Sequence, residues 1–273
     1  MLQNGLLLMK SNQLRSLVRR ARNQLSVRAL GYFPYFGEKV FCSRNNHILD
    51  RISIESIFEE EILKYILMFI KPKSCFFDVG ANIGALTIPV LRTRPDIEAV
   101  SVECSPSTLP YLEQTYRQSN FSARWKLDRR AVAMLEGLVQ FHTTGSDFGA
   151  FDSLQDTGRG GVKKSVLVQA ATLDRIWIDH GAPDVSVLKI DIEGGEFEAI
   201  LSGRNMIEKC RPVIIFEWSE KNLQAFDRNP QSIFQILDEF PGEFISLPTF
   251  HTLSKSNLRL VMSECEMFIL MLE

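Results

Sequence analysis

The run Cys75-Phe76-Phe77-Asp78-Val79-Gly80-Ala81-Asn82-Ile83-Gly84 constrains the fold of this chain more than any other segment. An apolar stretch of strand character runs straight into a glycine, and a second glycine follows before the next apolar run. This reads as a strand that bends sharply and opens a helix, the place where parallel sheets receive nucleotide-like ligands. Gly80 permits a turn that no side chain could share, and Gly84 lets the helix begin close to the sheet. The next expected strand, Ala99–Glu103, ends on a carboxylate that can accept both hydroxyls of a ribose.

Strand and helix signals alternate through the rest of the chain. Helices are expected at Glu55–Phe69, Gly84–Arg92, Pro106–Gln118, Gly195–Lys209 and Gln231–Glu239. Strands are expected at Cys75–Val79, Ala99–Glu103, Ala123–Lys126, Leu138–His142 and Val166–Ala170. Further strands fall at Val185–Asp191, Val213–Trp218, Phe244–Leu247 and Met267–Leu272. Such alternation implies an α/β fold, a largely parallel sheet covered by helices on both faces. Pro89 inside the second helix marks either a late start or a kink. At 273 residues the chain fits one large α/β domain with a modest extension. The organisation read from it is a basic N-terminal helical extension over residues 1–50 and a catalytic domain over 51–273.

The net charge of −2 is unevenly spread. Residues 1–37 hold Lys10, Arg15, Arg19, Arg20, Arg22 and Arg28 and no acidic residue. Leu14, Leu17, Val18, Ala21 and Leu25 recur at helical spacing among them, so the segment reads as a basic amphipathic helix. A helix packed on the domain, a weak contact with an anionic membrane surface and a targeting segment all fit that pattern. No other basic concentration exists to carry nucleic acid. The five scattered cysteines form no CxxC pair and point to a reducing, cytoplasmic setting.

A dinucleotide site would read Gly-x-Gly-x-x-Gly/Ala, and here those slots hold Gly80, Asn82 and Ala85. The middle glycine exists so that backbone can approach a pyrophosphate, and Asn82 puts a side chain there instead. S-adenosylmethionine carries no phosphate, and its amine and carboxylate suit Asp78 and Asn82. A nicotinamide-dependent oxidoreductase keeps the sheet and Glu103 but leaves Asn82 unexplained. A non-catalytic adenosyl-binding module is the third reading. Asp128 and Ala131 follow the third strand, where an adenine is expected.

The second constellation is Val185–Glu196. Extended geometry held through Glu193 would place Lys189, Asp191 and Glu193 on one face at the carboxyl end of a strand. Buried charge at that edge is costly without work to do. Asp191 or Glu193 is the candidate general base, with Lys189 balancing the charge. Alternatively the two carboxylates cap the following helix through its free N–H groups, or together hold a divalent cation. The sequence itself marks no dedicated metal site. Glu217, at the end of the next strand, is a further candidate for the acceptor side.

Asp78–Gly84 followed by Thr87, and Leu188–Glu196, resemble the signatures of FkbM-type methyltransferases. The similarity continues through Thr172–Asp174, Ala199, Leu201, Gly203 and Pro212–Glu217, and spans roughly residues 55–272. The resemblance implies a class I methyltransferase fold, a Rossmann-like seven-stranded sheet with an antiparallel last strand. It implies S-adenosylmethionine as cofactor and methylation of a hydroxyl on a small molecule or saccharide. Asp78, Gly80, Asn82, Gly84, Thr87, Glu103, Asp128 and Ala131 would serve the cofactor; Lys189, Asp191, Glu193 and Glu217 would serve the chemistry. Asp152 before Ser153 departs from the family's tandem serines on the acceptor-side loop.

Overall fold

The structure is a computed structural model that describes residues 2–161 and 163–273, with side chains from residue 13 onward. It opens on a long helix, α1 (Leu2–Leu30), followed by the hairpin β1 (Tyr32–Tyr35) and β2 (Glu38–Phe41). Two helices, α2 (His47–Glu55) and α3 (Glu60–Phe69), lead into the main sheet. The continuous helix expected from Glu55 does not form. Ser56 and Glu59 both take positive φ, 81° and 46°, which breaks the run and lets α3 start afresh.

The first half of the sheet is β3 (Cys75–Val79), α4 (Thr87–Thr93), β4 (Glu98–Val102), α5 (Leu109–Gln118) and β5 (Trp125–Asp128). Helix α4 starts three residues later than expected. Pro89 therefore lies in its first turn, where a missing N–H leaves no bond unmade. A separate three-stranded sheet follows, β6 (Ala131–Val132), β7 (Gly137–Thr143) and β8 (Lys164–Ala171), in the order β6-β8-β7.

The second half contains α6 (Leu173–Asp179), β9 (Val185–Ile190), α7 (Glu196–Ser202), α8 (Arg204–Cys210) and β10 (Val213–Glu217). After these come α9 (Glu220–Ala225), α10 (Ile233–Glu239), β11 (Gly242–Leu247), α11 (Leu258–Met262) and β12 (Met267–Leu272). The helix expected over Gly195–Lys209 is split at Gly203, where a Cβ would come within 2.7 Å of the Leu173 side chain.

The main sheet has seven strands in the order β11-β12-β10-β9-β3-β4-β5. Strands β5, β4, β3, β9 and β10 are parallel, and β12 runs antiparallel to both β10 and β11. Alternate residues feed two cores. Phe77, Val79, Leu188 and Ile190 pack beneath α7, α8 and α10, while Phe76, Val187 and Ile215 pack toward α2–α5. Among the described residues no helix is long and apolar enough to cross a membrane.

Helix α1 docks by its C-terminal half, and not by its apolar stripe. Asn23 and Val27 are buried against α2 and the hairpin, and Arg19 donates to the carbonyls of Ser53 and Ile54 at 2.8 Å each. Leu14, Leu17, Val18, Ala21 and Leu25 all face outward.

Candidate active site

Parallel strands β3, β4 and β9 end together, and their loops enclose a cleft of about 840 Å³, its mouth included. The bend after β3 forms the floor. Gly80 has φ +80°, and a Cβ on it would stand 1.9 Å from the Asp191 carbonyl oxygen, so glycine is the one residue the crossing of the two strand ends admits. Asn82 follows at φ 50°, the left-handed region that Asn tolerates better than most side chains. Its side-chain oxygen is buried and has no hydrogen-bond partner.

Asp78 lines the cleft beside it. Thr87 donates to its Oδ2 at 2.6 Å, while Oδ1 is buried and accepts no hydrogen bond. Burial pushes the Asp78 carboxyl above its ordinary value, opposed by the nearby Lys189 ammonium. Thr87 is itself buried behind the cleft, also bonded to Ser101, and meets a ligand only through Asp78. Gly84 likewise lies behind the bend, against Trp125 and Leu112.

Glu103 stands across the cleft from the bend. The backbone N–H of Asn82 donates to its Oε2 at 2.9 Å and that of Ser105 to its Oε1 at 2.8 Å, which fixes the carboxylate on both sides. Burial raises it to about 7 despite those two donors. Next to it, Ala131, Val132, Phe141 and Leu154 make an apolar wall. The Asp128 carboxylate turns away, held by Arg130 at 2.9 Å and 2.6 Å and by His180 at 3.1 Å. Arg130 and Ala131, rather than Asp128, reach the cleft.

Lys189, Asp191 and Glu193 all line the opposite end. Strand geometry stops at Ile190, and Glu193 takes φ 59°, so the three do not share one extended face. Lys189 pairs with Asp191 at 3.3 Å and sits 3.7 Å from Asp78. Burial alone would lower its ammonium, but Asp191, Asp78 and Glu59 together hold it above its ordinary value. Glu193 accepts from Arg159 at 2.7 Å and from Asn222 at 2.9 Å. Burial and the Asp191 charge raise it to about 8.

Neither carboxylate caps α7. The N-cap of α7, Gly195, makes no side-chain cap hydrogen bond, and Glu196 instead braces the loop before the helix, accepting from the backbone N–H groups of Ile192, at 2.8 Å, and Gly194, at 3.2 Å. Glu217 lies behind Glu193, joined through Asn222 at 2.7 Å and raised well above its ordinary value by burial and then by neighbouring carboxylates.

Four further residues contribute that were not among the expected site residues. Arg159 comes from the connection between β7 and β8 and lies over the Phe151 ring at 4.7 Å while it pairs with Glu193. Asn222 bridges Glu193 and Glu217 from α9. Asp152 ties the loop after β4 to the end of β7, accepting from Ser105 at 2.6 Å and from Ser107 and Thr143 at 2.8 Å each. Glu59 pairs with Arg51 at 3.2 Å through one oxygen, and its other oxygen is buried without a partner. Burial and the Asp191 charge raise Glu59 to about 7. Two local signals pointed toward them: the glycines on either side of Arg159, and Asp152 in place of the family's first serine.

A seven-stranded sheet with an antiparallel strand beside its last parallel one, a glycine bend and an acid closing the neighbouring strand define the class I methyltransferase arrangement. The chain belongs to the FkbM methyltransferase family: the model of the Methyltransferase FkbM domain matches residues 78–242, more than half of its length. Among solved structures it is similar to methyltransferase FkbM from Methylobacillus flagellatus, with 16% identity and a TM-score of 0.47, over 82% of this chain and 52% of that one. The chain thus spans about half the length of that relative. It is also similar to precorrin-6y C5,15-methyltransferase from Geobacter metallireducens, at 12% identity and TM-score 0.41, over 78% and 88% of the two chains. A Podospora anserina methyltransferase solved with S-adenosylhomocysteine matches at 12% identity and TM-score 0.41, over 74% and 72%. No curated protein matches the sequence.

Proposed function

We propose that the protein transfers a methyl group from S-adenosylmethionine to a hydroxyl oxygen of a small molecule or saccharide. The observation that carries this reading is the buried, unpartnered Asn82 Oδ1 beside Asp78 Oδ1, which accepts no hydrogen bond and has only the Lys189 ammonium 3.7 Å away, in the cleft that Glu103 closes. A buried acceptor without a donor is costly, on the order of 1–3 kcal/mol. A ligand with an ammonium group removes that cost, and the methionine end of the donor offers one. Glu103 suits the ribose hydroxyls, and the wall of Ala131, Val132 and Phe141 suits an adenine. A nicotinamide coenzyme would bring a pyrophosphate to a bend whose middle slot holds an acceptor oxygen, an unfavourable meeting. A binding module without turnover would not need carboxylates as close as Asp191 and Glu193 at the strand end.

Bound S-adenosylmethionine supplies a methyl group on positively charged sulfur. The acceptor oxygen bonds to that carbon as the carbon–sulfur bond breaks, its electron pair staying on sulfur. Glu193 takes the hydroxyl proton; its raised value places it near neutrality, where a base works best, and such transfer is worth about 10²–10⁴-fold. Lys189 fixes Asp191 and balances its charge beside the reacting groups. Orientation in the closed cleft supplies several kcal/mol more, up to ~7–11 for ideal alignment.

A second reading rests on one observation. Asp191, Glu193 and Glu217 each offer a carboxylate oxygen within 4.8 Å of the others, so a divalent cation held there would orient a diol acceptor. Loss of turnover on chelation, restored by magnesium, would favour it. The acceptor is a metabolite or saccharide, not nucleic acid, and we assign the protein to the cytoplasm on its free thiols.

The test is transfer of tritium from methyl-labelled donor into fractionated glycans, lipids and small metabolites. Label moved by the wild type and not by Glu193→Gln supports the reading. Label that stays on the donor in every fraction, with absorbance change on adding NAD, contradicts it.

A further inference from the structure

The outward stripe of α1 is an unpartnered run of exposed apolar side chains among the described residues. Leu14 is 63% exposed, Leu17 63%, Val18 62% and Leu25 65%, and Ala21 lies exposed between them. With 3.6 residues per turn these side chains fall on one side of the helix, opposite the docked side that carries Arg19, Asn23 and Val27. The docked side is built to stay docked. Arg19 holds the last carbonyls of α2, Asn23 donates to Ser53 Oγ at 3.2 Å, and Ser26 donates to the Tyr32 carbonyl at 2.7 Å. The apolar stripe is therefore presented outward on a docked helix and, among the described residues, is buried in no groove of this chain.

Charge selects the occupant. Arg15 and Arg22 border the stripe on one side and Arg28 closes its last turn, all three exposed, and no acidic residue occurs anywhere in residues 1–37. A second copy laid along the stripe would bring two all-basic helices together. A surface that accepts leucines and neutralises arginines at once is an anionic lipid headgroup layer, and a helix with this division of faces lies flat in such a layer. We infer that α1 is a membrane-surface anchor: Leu14, Leu17, Val18, Ala21 and Leu25 enter the acyl boundary, and the flanking arginines contact anionic headgroups. The helix lies along the surface and does not cross it. Through α2, whose Ile48 lines the cleft, the anchor is one helix away from the proposed active site.

The full chain is floated with vesicles of phosphatidylcholine alone and with vesicles containing one-third phosphatidylglycerol. Wild type is expected to partition at least tenfold more strongly onto the anionic vesicles, less so as salt rises. Leu14→Gln, Leu17→Gln and Leu25→Gln combined are expected to lower that partition at least tenfold. Their thermal melt and donor binding should be unchanged, because the replaced side chains are exposed and belong to none of the buried apolar clusters. Equal partition onto both vesicle types, no partition, or a triple variant that floats like wild type overturns the inference. So does sedimentation showing a wild-type dimer that the triple variant dissociates, since the stripe would then be filled by a second copy. The salt dependence of the wild type alone decides the matter should the variant fold poorly: binding indifferent to salt contradicts an anionic partner.

Discussion

Lys189 lies beside Asp78 in the register of β9 and β3, with its ammonium 3.7 Å from Asp78 Oδ1 and 3.3 Å from Asp191 Oδ2. One buried cation thus joins the donor end of the cleft to the end where chemistry is proposed. Removing it leaves two carboxylates facing each other without compensation.

Lys189→Met is expected to destabilise the fold by about 3–5 kcal/mol, the cost of breaking a buried pair by deleting one partner. Denaturant unfolding measures it. Stability within about 1 kcal/mol of wild type, on the same scale, would show that Asp78 and Asp191 do not depend on this charge.

Gly80→Ala probes the bend. The added carbon would sit 1.9 Å from a backbone oxygen, and φ +80° is already unfavourable for alanine. The strand ends must part, so donor binding should disappear while the sheet, read by circular dichroism, survives. Unchanged donor affinity in calorimetry contradicts the floor of the cleft as described.

Glu193→Gln separates chemistry from binding. The amide keeps the hydrogen-bonding shape but cannot take a proton. Turnover should fall about 10²–10⁴-fold with donor affinity kept within a few-fold. Equal losses in both would make Glu193 a binding group.

Stability should fall as pH rises from acid to mildly alkaline. Glu59, Glu103 and Glu196 are raised from 4.5 to about 7, and Glu193 to about 8. Between those values the folded chain holds protons that the unfolded chain has released. Their contribution is full below about 4.5 and is lost as pH passes 7 to 8. The thermal midpoint at pH 8.5 should therefore lie below that at pH 5.5. Bound donor favours charged Glu103, so its stabilising effect should grow over the same range. A midpoint that rises with pH in the unliganded protein contradicts this account.

Much of the sheet was legible because its strands are short, apolar and bounded by Gly, Pro or charge. Cys75–Val79 and Met267–Leu272 fall where their patterns placed them. Asp78, Gly80, Asn82 and Glu103 meet in one cleft because strand-end position alone dictates it. What the sequence hid depends on contacts far along the chain. The break at Ser56–Glu59 is a backbone choice without a proline or glycine to announce it. The split at Gly203 answers to Leu173, thirty residues earlier. Arg159 converges on Glu193 from a loop and Asn222 from helix α9, which no local spacing encodes. The helical spacing of Leu14–Leu25 falls within helix α1, yet it is the opposite side of the helix that makes the tertiary contacts, through hydrogen bonds that hydropathy does not register.

The most direct test of the donor cradle is calorimetric titration of S-adenosylhomocysteine into wild-type protein and into Glu103→Gln. Saturable one-to-one binding by the wild type, weakened at least tenfold in the variant, is the predicted result. Absence of any heat of binding in well-folded wild type, or equal affinity in the two proteins, would contradict it.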